Sequence, residues 1–130
     1  MTATPACPLS VLVVDDYPDT AFSLALVLRI HGHDVRTATS GAEAVGLLAG
    51  WRPDVAVLDL VMPGVDGFAV AERLCGLPRR PLLVAVSGSV RKADLDRLKT
   101  AAFDHFFAKP VDPAALADLL REYAIRRGGC

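Results

Sequence analysis

Apolar runs that do not alternate with polar residues recur along this chain, and each is followed by a stretch with helical spacing. No other feature narrows the fold as much. Leu9 to Val14 is the first run, as expected of a strand covered on both faces. Pro18, at a position where a missing N–H costs little, opens a helical stretch through about His31. A turn at Gly32 leads to a short second strand near Val35 to Ala38. Ser40 with Glu43 forms a capping box for a helix to about Ala49. Val55 to Asp59 is the third strand, and Asp66 caps a helix from about Gly67 to Cys75. Leu82 to Val86 is the fourth strand, followed by a helix from Val90 to about Thr100 with Leu95 and Leu98 inward. Phe103 to Ala108 is the fifth. Asp112 and Pro113 start a last helix, where Leu116, Leu119, Leu120 and Tyr123 fall on one face. Such alternation implies a parallel sheet with helices on both faces, joined by right-handed crossovers.

The 130 residues suffice for one domain, expected over residues 9–127 with tails at 1–8 and 128–130. A net charge of −1 gives no electrostatic footprint for nucleic acid or an anionic membrane. No apolar run approaches the roughly 18 residues that span a bilayer, and the N-terminus lacks the pattern of a signal peptide. The cytoplasm is the expected location. Cys7, Cys75 and Cys130 are widely spaced with no Cys-x-x-Cys pair, which argues against structural zinc or a redox motif. His31, His33 and His105 lack partners at ligand spacing, so they make only a weak case for a transition metal.

In a parallel sheet the C-terminal ends of all strands share one edge, where ligands of such folds bind. On this chain that rim receives Asp15 and Asp16 after the first strand and Asp59 at the end of the third. Ser87 follows from the fourth strand and Lys109 from the fifth, while the second ends without a charged group. Each acid alone would pass for a cap or turn residue. Together, converging carboxylates repel one another unless a cation lies among them, and an oxygen-only donor set suits Mg²⁺. A carboxylate nucleophile, a metal, an ammonium and a hydroxyl describe a phosphoryl-accepting site with Asp59 as the acceptor.

These residues resemble the receiver domain of two-component response regulators (CheY-like) over essentially the whole chain. "VLVVDDYPD", "DLVMPGVDG", "AVSGS" and "FFAKPVDP" stand in the family's order and approximate spacing. The resemblance implies an α/β, flavodoxin-like doubly wound five-stranded parallel sheet, order 2-1-3-4-5, with five helices. It implies a single-domain, Mg²⁺-dependent phosphoacceptor rather than a conventional enzyme, taking its phosphoryl group on Asp59 from a sensor histidine kinase or a histidine phosphotransfer protein. Asp16 would then bind Mg²⁺ directly, Asp15 mainly through water, and the Val61 backbone carbonyl would complete the protein ligands. Ser87 would bond a phosphoryl oxygen, and Lys109 would pair with the phosphoryl group or Asp59. The family's switch pair corresponds to Ser87 and Phe106, the latter without the hydroxyl of the commoner tyrosine, and the Lys109–Pro110 bond is expected to be cis. Output would pass to a downstream protein through the face of the fourth helix, fifth strand and last helix, where Arg91, Lys92, Arg97 and Lys99 lie. Val61 and Ser89 carry no amide or carboxylate to orient water, which predicts slow self-dephosphorylation.

The stretch "FDHFFAKPVDPAAL" is also similar to receivers of hybrid histidine kinases, so a stand-alone regulator and a piece of a longer protein both stay open. An aspartate-nucleophile phosphohydrolase would want Asp-x-Asp after the first strand and a cap domain. A never-phosphorylated scaffold would be expected to lack a site residue. Paired acids after the first strand would repel a flavin phosphate.

Overall fold

The computed structural model describes residues 8–62, 64–88 and 103–127. Its sheet has five parallel strands in the order β2-β1-β3-β4-β5. These are β1 (Ser10–Val14), β2 (Asp34–Ala38), β3 (Val55–Asp59), β4 (Leu82–Ser87) and β5 (His105–Ala108). The helices are α1 (Pro18–Ile30), α2 (Gly41–Leu47), α3 (Gly67–Cys75) and α4 (Pro113–Arg126). Four helices are therefore seen among the described residues where five were expected. The expected helix from Val90 to Thr100 lies outside them, as do Pro63, Ser89, Cys7, Cys130 and the basic side chains between Arg91 and Lys99.

The non-alternating runs divide by parity into two cores, because successive strand residues face opposite sides. Val11, Val13, Val55, Val57, Val84 and Val86 pack under α1 and α4, against Leu24, Leu28, Leu116 and Leu120. Leu12, Val14, Ala56, Leu58 and Leu83 face the other way, against Val70 and Leu74 of α3. On α4 the buried residues are Leu116, Ala117, Leu120 and Ala124, with Leu119 and Tyr123 half-buried beside them. The expected stripe was thus placed one alanine row off centre.

Helix ends follow side-chain chemistry. Ser40 Oγ accepts the Glu43 N–H, and the Glu43 carboxylate reaches back to the Thr39 N–H rather than to that of Ser40. Asp66 accepts from the Ala69 N–H and Asp112 from the Ala114 N–H. Helix α1 ends in a Schellman turn: Gly32 has φ 95°, its N–H donates to the Arg29 carbonyl, and His33 N–H donates to that of Leu28. Helix α2 stops at Leu47, short of Ala49, because its last turn tightens to bonds from Leu48 to Val45 and from Ala49 to Gly46.

Side chains also satisfy strand starts at the edge away from the rim. Asp54 accepts the Ser10 N–H, and Asp104 accepts the Leu83 N–H, which is why β5 begins at His105 and not Phe103. Buried His33 accepts the Leu9 N–H on Nδ1 at 3.1 Å. Burial, and then the nearby charge of His31, hold this imidazole below its ordinary 6.5. A histidine whose folded value is depressed gives stability that is complete above 6.5 and falls as pH drops from there. Between about pH 7 and pH 5 the parent's urea midpoint should therefore fall relative to that of His33→Asn, whose amide oxygen can accept the same bond without titrating. Equal falls in both proteins would contradict this.

Candidate functional site

Strand register brings the rim together. Val14 pairs with Leu58 and Asp59 with Val86, so Asp15 emerges beside Asp59 with Ser87 one residue further along β4. Ser87 pairs with Ala108, and the Lys109 N–H donates to the Ser87 carbonyl at 2.9 Å. Asp15 and Asp59 share the parity of the valines facing α1 and α4, and Lys109 shares that of Phe107 on the same side.

The result is a compact charged cluster. One carboxylate oxygen from each of Asp15, Asp16 and Asp59 lies within 4.8 Å of the others, and this trio could hold a metal ion. Asp15 and Asp59 are 3% and 4% exposed, whereas Asp16 is open to solvent. Lys109 Nζ stands 2.9 Å from Asp59 Oδ2 and 3.1 Å from Asp15 Oδ2. The other oxygens are held by backbone: Asp15 Oδ1 accepts the Tyr17 N–H at 2.9 Å, and Asp59 Oδ1 accepts the Val61 N–H at 3.2 Å. Burial, the largest influence, pushes the Asp59 carboxyl above its ordinary value, and the Asp15 charge adds to the rise. The Lys109 hydrogen bond and charge and the Val61 N–H pull it the other way without cancelling the effect. For Lys109, burial lowers the ammonium's affinity for its proton, but bonding and pairing with Asp59 and Asp15 outweigh that and raise it.

Ser87 is buried at the end of β4, and the Lys109–Pro110 bond is cis. Val61 is 55% exposed beside the cluster, and Phe106, on β5, is 43% exposed with its ring away from the core that holds Phe107. The three histidines do not join the cluster. Trp51 is half-buried under the Arg36 guanidinium, 4.7 Å from its ring centre.

Sequence reasoning passed over two contributors. Tyr17 supplies the backbone N–H that holds Asp15. Gly67 lets α3 start against the backbone at the end of β3: a Cβ there would overlap the Asp59 carbonyl oxygen and come within 2.9 Å of the carbonyl carbon. A glycine at the first position of a helix, where alanine would propagate it better, was the available signal. Gly67→Ala should destabilise the protein by about 2 kcal/mol in urea, the scale of forced overpacking. An unchanged midpoint would mean that α3 backs away freely.

The comparisons with known proteins agree with this geometry. The family model described as "Response regulator receiver domain" matches residues 11–121. An uncharacterized 14.6 kDa protein of Leptolyngbya boryana is 34% identical over 90% of this chain and 91% of its own length. The transcriptional regulatory protein AfsQ1 of Streptomyces coelicolor is 35% identical over 92% of this chain, which spans only 52% of AfsQ1. Among solved structures, a CheY-like receiver domain protein from Methanospirillum hungatei superposes with a TM-score of 0.85 at 21% identity, covering 94% of this chain and 98% of its own. That last likeness speaks for the fold alone. No helix among the described residues is long and apolar enough to cross a membrane. The chain belongs to the response regulator receiver family of two-component signalling.

Proposed function

We propose that this chain is a phosphorylation switch that accepts a phosphoryl group on Asp59 from a histidine kinase or histidine phosphotransfer protein. The observation that carries the reading is the placement of Asp59: a buried carboxylate bonded to Lys109 and grouped with two further acids. Burial without full compensation marks a group kept for chemistry rather than for stability.

The donor set fits Mg²⁺. All its side-chain donors are carboxylate oxygens, and solvent reaches Asp16, leaving room for retained waters. Asp16, the solvent-exposed acid of the trio, would bind directly, and Asp15, buried and held by Tyr17 and Lys109, would act through water. Asp59 and the Val61 carbonyl would complete the protein ligands. When bound, Mg²⁺ supplies charge neutralisation for the clustered carboxylates and for the incoming phosphoryl oxygens. In the transfer, an Asp59 oxygen attacks phosphorus while the bond from phosphorus to the donor histidine nitrogen breaks, its electron pair returning to the imidazole. Lys109 then pairs with the phosphoryl group, and the Ser87 hydroxyl donates to one of its oxygens. Ser87 and Phe106 carry the change outward, to a protein partner on the face containing β5 and α4.

The domain so assigned covers residues 9–127 and works in the cytoplasm through protein contacts, without nucleic acid or membrane. The test uses phosphoramidate, a small donor with the phosphorus–nitrogen bond of phosphohistidine. The protein should take up a phosphoryl group only with Mg²⁺ and lose it slowly once the donor is removed, since Val61 has no group to orient water. A protein that Mg²⁺ stabilises but no donor labels would be a metal-binding scaffold. A half-life as short as that of fast chemotaxis-type receivers would refute the slow-decay expectation.

A further inference from the structure

The second strand sends no charged side chain to the rim, yet the turn after it touches the Asp15 limb of the acidic cluster on one side and Val65, just before α3, on the other. The Asp15 N–H donates to the Ala38 carbonyl at 3.1 Å, which ties the Asp15–Asp16 limb to the end of β2. Further along the same turn, Gly41 opens α2 against the segment that follows Asp59. A Cβ at Gly41 would overlap the Val65 carbonyl oxygen and lie 2.7 Å from both Val65 Cβ and Cγ1, contacts that no real Cβ makes. The turn itself is held rigidly. Ser40 Oγ accepts the Glu43 N–H at 3.0 Å, and Glu43 Oε1 accepts the Thr39 N–H at 2.7 Å and its hydroxyl at 3.2 Å.

We infer that the turn from Ala38 to Gly41 is a brace setting the separation between the Asp15–Asp16 limb and the Asp59–Val61 limb, with Gly41 as a positioning residue that acts through Val65. The inference rests on the reading of these acids as a Mg²⁺ site. Gly41 touches no ligand atom. Its part is to let the first turn of α2 come close enough to hold the Val65 limb in place, while Ala38 holds the other limb from the same few residues. Groups that hydrogen-bond metal ligands change metal affinity by about 10- to 100-fold, and a contact one step further out is expected at the lower end of that range.

The test compares Mg²⁺ affinity, by calorimetric titration, with melting temperature in the full chain. Gly41→Ala should weaken Mg²⁺ binding by about tenfold or more. Gly46 lies on the same helix with nothing within 4 Å of a Cβ placed there. Gly46→Ala should raise the melting temperature, because alanine favours the helix, and leave Mg²⁺ affinity unchanged. The double variant should regain stability without regaining affinity, and at saturating Mg²⁺ it should be phosphorylated to the parent's extent. Should Gly41→Ala not fold, Val65→Ala, which trims both methyls of the side chain facing Gly41, should weaken Mg²⁺ binding several-fold with little change in melting. Parent-like affinity in Gly41→Ala or in Val65→Ala, or affinity that returns with stability in the double variant, would overturn the brace. A parent protein that binds no Mg²⁺ would instead remove the proposed metal site, and the brace with it.

Discussion

Lys109→Met, with Mg²⁺ chelated, loses about 3 kcal/mol of stability in urea, the scale on which a buried pair responds when one partner is removed. Lys109 is within reach of both Asp15 and Asp59, whose side chains are 4% and 5% exposed. Without it two carboxylates face each other in a poorly solvated pocket. Methionine keeps the length of the side chain, so the loss reports charge rather than packing. Added Mg²⁺ should restore more stability to the variant than to the parent, because a ligand that binds the folded state stabilises it by linkage. An unchanged urea midpoint would show that the ion pairs contribute nothing net.

The other end of the same ion pair has the opposite sign. Asp59→Asn, again without Mg²⁺, should be more stable than the parent by about 1 kcal/mol, the scale of stabilising single substitutions. Folding disfavours the ionised form of Asp59, through burial first and the Asp15 charge as well. Folded Asp59 therefore holds its proton to higher pH than the unfolded chain does, and the parent loses stability as pH rises from the ordinary 3.8 through the raised value. Asparagine has no proton to lose, so the gap between the two proteins opens over that window and stays open above it. Denaturation curves at stepped pH would check this. A variant less stable than the parent at neutral pH would mean that the Lys109 bond outweighs the burial.

That asymmetry bears on what the sequence could convey. Val55–Asp59 announced a buried strand ending on a carboxylate, and strand-end position alone was enough to gather Asp15, Asp16, Ser87 and Lys109 at the same rim. The caps Ser40, Asp66 and Asp112 were legible because their side chains bond within a few residues. Long-range backbone contacts were not. A glycine opening a helix hints at a close neighbour, but nothing local to Gly41 or Gly67 says that the neighbours are Val65 and Asp59, and nothing in the run before His105 says that Asp104 serves β4. Which acids share Lys109 depends on side-chain reach across strands, and only the structure shows that Asp15 competes with Asp59 for it.

The central claim, that Asp59 is the phosphoryl acceptor, is tested most directly by acid-quenched intact mass after incubation with acetyl phosphate and Mg²⁺. The account predicts the addition of one phosphoryl group to the parent, none when Mg²⁺ is chelated, and none in Asp59→Asn with Mg²⁺ present. A parent that is folded and binds Mg²⁺ yet gains no mass, or an Asp59→Asn protein that gains as much as the parent, would contradict it.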